Sequence, residues 1–250
     1  MKLLGLKTHV FRLYPLLFLA LAFFNPTMNF RIFTLFLLFY LQSCDLKTSA
    51  EYNAEAEILE KEEKFEEAIL LLDKAIAKDP SNLYALCNRA VDKSILEDYQ
   101  GAIEDYSRML EIDPHNTLAL LNRGKNKARL GDSPAALLDF EQAIKTKGST
   151  QLYMDLEANP FVNIRTDFEV NMEVIRFERG LELYEIDSLG LAFQDFSFCI
   201  DKAYEKASSY YMRALIYHDL GYLEEGCTDL QQAQELGDPD APTVLKQYCK

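Results

Sequence analysis

The segment KEEKFEEAILLLDKAIAKDP (61–80) returns in altered form as LEDYQGAIEDYSRMLEIDP (96–114). Pro80 and Pro114 lie 34 residues apart, as do Ala68 and Ala102, and Leu72 and Tyr106. A third copy, LGDSPAALLDFEQAIKTKG (130–148), puts Ala136 and Phe140 another 34 residues on. A fixed period of this length marks stacked units, none of which buries its apolar face alone. With 10 Gly and 8 Pro in 250 residues, breakers are scarce, and Ala, Leu, Glu and Lys favour helices.

The register resembles the tetratricopeptide repeat, two antiparallel helices per unit, with small residues at positions 8, 20 and 27, a large apolar one at 24 and often Pro at 32. Repeat one (49–82) supplies Ala56, Ala68, Leu72, Ala75 and Pro80. Repeat two (83–116) supplies Ala90, Ala102, Tyr106, Met109 and Pro114. Repeat three (117–150) supplies Gly124, Ala136, Phe140 and Ala143, with Gly148 in place of Pro. Two further copies, 173–206 and 207–238, carry Gly180, Ala192, Phe196 and Cys199, then Ala214, Gly226, Leu230 and Ala233. Small side chains let paired helices approach, and the large one fills the gap between units. The resemblance implies an all-α, right-handed solenoid of about five helix pairs over 51–250, with residues 239–250 as a capping helix. Residues 151–172 interrupt the array. Val162, Ile164, Thr166, Phe168, Val170 and Met172 alternate there, which predicts extended chain, either a plain interrepeat loop or one that folds toward a partner.

Two apolar runs precede the repeats, at 13–24 and 30–41. Each would make roughly 18 Å of helix, against a bilayer core of about 30 Å. Lengths of that order suit the apolar region of a signal peptide. MNFRIFTLFLLFYLQSC (28–44) resembles a bacterial lipoprotein signal, with Leu41, Ser43 and Cys44 in place and Gln42 where a small residue is usual. That resemblance implies a start at Met28, a leader ending at residue 43, lipid on Cys44 and a tether over 44–50. Acyl chains contribute about 0.8 kcal/mol per buried CH2, so several anchor a protein firmly. The expected location is the bacterial envelope, facing the periplasm or the cell surface.

Residues 1–44 hold four basic side chains and no acid, so the remainder carries 22 Lys and Arg against 40 Asp and Glu. A body of net charge −18 is repelled by nucleic acid and anionic headgroups. Cys44, Cys87, Cys199, Cys227 and Cys249 match no zinc spacing. The reading favours buried free thiols over bridges. Cys227 and Cys249 fall in the last repeat and its cap, where a bridge would staple the end, and two unlinked thiols are the expectation.

The family resemblance places the partner face on the first helix of each repeat. That face holds Tyr84, Cys87, Asn88, Val91, Leu118, Leu121, Asn122, Lys125 and Arg129 in repeats two and three. In repeats four and five it holds Phe177, Glu178, Leu181, Tyr184, Tyr211, Met212, Leu215 and His218. The mixture suits an extended or helical peptide. Asn88 and Asn122 match a carboxylate-clamp position, yet Asn53, Glu57 and Leu118 stand where its other donors belong, so no clamp is expected. Arg89, Arg123, Arg179 and Arg213 share the seventh position and are expected to form solvated pairs with acids. Beyond the leader only His115 and His218 remain, without a hydrolase, metalloprotease or phosphate-loop motif. The sequence therefore reads as a membrane-tethered scaffold or adaptor for a protein or peptide, with no cofactor, metal or catalytic residue. An outer-membrane protein assembly component is the architectural alternative.

Overall fold

A computed structural model describes residues 45–146 and 170–249. Cys44 and residues 151–169 of the interruption lie outside the described residues. The described residues from Thr48 onward form one compact unit. The described residues form eleven helices and no strand: α1 (Ser49–Lys61), α2 (Phe65–Lys78), α3 (Leu83–Ile95), α4 (Tyr99–Ile112), α5 (Thr117–Arg129), α6 (Ser133–Lys145), α7 (Met172–Glu185), α8 (Leu189–Asp201), α9 (Lys206–Asp219), α10 (Leu223–Glu235) and α11 (Ala241–Tyr248). Each packs mainly on its sequence neighbours, so the architecture is a stack of helical hairpins.

Local chemistry sets the boundaries. Thr48 and Glu51 form a reciprocal capping box on α1. Asn82, Asp98, Asn116 and Asp132 each accept an N–H in the first turn of α3, α4, α5 and α6. Met172, expected in the extended interruption, instead opens α7; Val170 and Asn171 precede that helix, and Val170 N–H donates to Thr117 Oγ1 at 3.2 Å. No helix among the described residues is long and apolar enough to cross a membrane.

In two hairpins a glycine faces a large ring, Gly124 against Phe140 and Gly180 against Phe196. Leu72 and Tyr106 are buried in one core with Ala56 and Ala90. The turn between paired helices requires a left-handed residue, and two hairpins meet it with Gly131 (φ 79°) and Gly221 (φ 82°). At the equivalent places Glu63 (φ 59°), Glu97 (φ 64°) and Asp187 (φ 62°) adopt the same conformation with a Cβ present. Changing these three exposed residues to Gly is expected to stabilise the array by roughly 1.5–3 kcal/mol in sum, since distant sites add. A rise in urea midpoint at constant slope checks it. The corresponding alanine triple, which keeps the Cβ, should give no comparable gain.

Candidate functional site

The first helices touch along the array, α1 against α3, α5 against α7 and α7 against α9, which makes their side the inner, tighter side of the curve. Four of these helices present an arginine immediately before the small residue. The expectation of solvated pairs is corrected here. Asp105, Asp139, Asp195 and Asp229 on the second helices are all buried, and each takes its arginine in a two-pronged grip. For Arg179 the bonds are 2.7 Å and 2.8 Å; for Arg213 they are 2.6 Å and 2.9 Å. Lys93 and Lys127 add a second cation to Asp105 and Asp139. The free prong of Arg89, Arg123 and Arg213 reaches back to Asp73, Ser107 and Ser197 of the preceding hairpin. The bridges of Arg89, Arg123 and Arg213 therefore each join two hairpins, and hydrogen bonds to Asp195 and Asp229 hold Arg179 and Arg213 firmly charged. These arginines hold the scaffold and are spoken for.

The residues expected on the partner face divide. Cys87 and Leu121 sink into the core, where burial, then the Glu60 charge, pushes the Cys87 thiol up to about 12. Tyr84 and Leu118 pack beside that core. Asn88 Nδ2 donates to Asn53 Oδ1 at 3.4 Å, and Asn122 lies beside the Tyr106 hydroxyl. Lys125 and Glu178 close a 2.5 Å ion pair across the junction that follows the interruption. Phe177 stands edge-on to Phe196 and Tyr204, with ring centres 5.9 Å away in each case. Tyr211 and Met212 are half-buried against the last two cores. Val91 and Arg129 remain open, and Ile95, outside the expected set, is exposed beside Val91 on α3.

At the far end Tyr184 donates its hydroxyl to Asp219 at 2.9 Å, and burial, then that bond, pushes it up to about 12. His218 and Asp219, adjacent in sequence, lie 3.5 Å apart between Nδ1 and Oδ1. The His218 ring also sits 4.1 Å from that of Tyr248 on α11. Among the described residues no three His, Cys, Asp or Glu are grouped to hold a metal.

The sequence pattern of the tetratricopeptide repeat family matches residues 207–236. Solved structures repeat the architecture over most of the chain. The MamA protein is 16% identical, covers 78% of this chain and 94% of its own, and superposes with a TM-score of 0.61. YrrB, described as a tetratricopeptide repeat protein with an unusual peptide-binding site, is 19% identical at 78% and 90% coverage and 0.59. PilW, described as a widely conserved type IV pilus biogenesis factor, is 17% identical at 75% and 76% coverage and 0.58. The array has the fold of a tetratricopeptide-repeat solenoid. No curated protein matches the chain in sequence.

In this solenoid α11 occupies the place of a further first helix, and its end is bonded to the last repeat. Cys227 and Cys249 form a disulfide with Cα atoms 5.7 Å apart, which corrects the expectation of two unlinked thiols. Spacing alone did not show it, because 22 residues separate the partners and only the turn after α10 brings them together. Cys87 and Cys199 are buried and free, as the composition predicted. The buried aspartates carry a sequence signal of their own: Asp105 and Asp139, like Asp195 and Asp229, stand 34 residues apart.

Proposed function

We propose that this tetratricopeptide-repeat solenoid is a binding scaffold, tethered to the bacterial envelope through lipid on Cys44, that grips a peptide or protein segment on the inner face of its first helices. The grip is made by binding alone. What supports the face is its make-up: open Val91, Ile95 and Arg129 beside half-buried amides and aromatics, while the strong cations behind it are consumed by buried aspartates. What supports the compartment is the Cys227–Cys249 bridge, since such bonds persist where the surroundings oxidise.

The test has two arms on protein made in a bacterial host. The N-terminal peptide of the membrane fraction is weighed; an acylated Cys44 is expected, and an intact leader overturns the tether. A photo-crosslinking residue is then placed at Val91 or Met212, and separately at Leu70, which is 62% exposed on a second helix. Discrete adducts from the first two and none from Leu70 are expected. Equal labelling from all three overturns the inner face as the site.

A further inference from the structure

The joint between the first two repeats contains two acids where the next joint contains a neutral bonded pair. Ser94 Oγ lies 2.9 Å from Asn126 Oδ1, linking α3 to α5. Stepping each residue back by one 34-residue period gives Glu60 on α1 and Asp92 on α3. Asp92 is 1% exposed, and Glu60 Oε1 and Asp92 Oδ2 are both buried without a hydrogen-bond partner. Two ionised carboxylates only accept hydrogen bonds, so they leave each other unsatisfied and repel. One proton turns one of them into a donor.

The charged groups packed around α3 do not supply a substitute. From α1, Glu57 adds negative charge beside Glu60, and Lys61 opposes it only partly. From α2, Asp73 is committed to Arg89, and Lys74 lies over the ring of Tyr52 at 5.6 Å. On α3 itself Arg89 and Lys93 are held by Asp105 of α4, and Cys87 stays a neutral thiol. Tyr106 of α4 also stays neutral, its ionisation suppressed by burial.

We propose that Glu60 and Asp92 form a proton-binding site that sets how firmly the first repeat is held to the rest of the array. Burial, then the Glu60 charge, pushes Asp92 up to about 7, and burial, then Glu57, raises Glu60. The folded joint therefore holds a proton that the unfolded chain, with an ordinary Asp near about 4, has already released. Between those limits the folded state binds more protons, so stability falls as pH rises and the loss is complete above about 7. The effect concentrates on α1 and α2. A terminal repeat is held through one interface, whereas interior repeats have two. The same joint carries the Asn53–Asn88 bond on the inner face, so proton loss also loosens the first part of the gripping surface.

Amide hydrogen exchange of the soluble repeat unit, residues 48–250, read at pH 6.0 and 8.5 and corrected for intrinsic rate, tests the site. Protection of α1 and α2 is expected to fall at least tenfold at the higher pH, while α5 and α6 change less than threefold. Asp92→Asn should remove the fall and keep α1 and α2 protected at both values; Glu60→Gln should act in the same direction, and circular dichroism checks that both variants fold. Wild-type protection that does not change with pH overturns the proposal. So does a fall that survives in both variants, or protection at pH 8.5 restored by millimolar Ca2+, which would make the site one for a cation.

Discussion

Asp195→Ala is expected to cost the solenoid about 3–5 kcal/mol, the usual result of stranding a buried charge. Asp195 is fully buried, takes both prongs of Arg179, and has Arg176 3.8 Å away. Removing it leaves a guanidinium with 19% side-chain exposure and without its bonded counter-charge. For a unit of this size that corresponds to a fall in melting temperature of roughly 6–20 °C. Urea unfolding followed by circular dichroism measures it. The double change Arg179→Met with Asp195→Leu should recover most of the loss, because an apolar pair of similar volume needs no partner. A single-variant loss below about 1 kcal/mol, the range of exposed pairs, would mean the bridge is solvated after all.

Phe140→Ala should be about as damaging, at roughly 3–5 kcal/mol for a buried ring. Phe140 is 1% exposed and lies across Gly124, where an added Cβ would stand 2.7 Å from Cε1 of the ring. Gly124→Ala alone therefore forces the ring to move and is expected to cost about 1–3 kcal/mol. Combined with Phe140→Leu, the alanine at 124 should cost less than it does alone, because the shorter side chain vacates that space. Strict additivity in this cycle would show that ring and glycine do not share the gap.

The fold was largely legible because its determinants are local and repeated. Ala68, Ala102 and Ala136 recur at one interval, and a helix pair needs a small residue wherever its axes approach. Asn82 and Asn116 likewise announce helix starts through their own side chains. The candidate face was legible as a set of positions and not as a set of available side chains. Cys87 and Leu121 share the periodicity of Asn88 and Asn122 yet turn inward, because one residue's rotation on a helix separates core from surface.

By itself, then, the sequence determined the repeat, its period, the small–large pairing within each hairpin and the acidic balance, all of which depend on residues near one another in the chain. The tertiary structure decided which acid each arginine meets, that Cys227 and Cys249 are joined, and that Glu60 Oε1 and Asp92 Oδ2 are buried without a partner. Those outcomes depend on how one hairpin seats on the next. Burial removes the solvent that would otherwise make every charged partner nearly equivalent, so only the packed arrangement distinguishes a bonded aspartate from a stranded one.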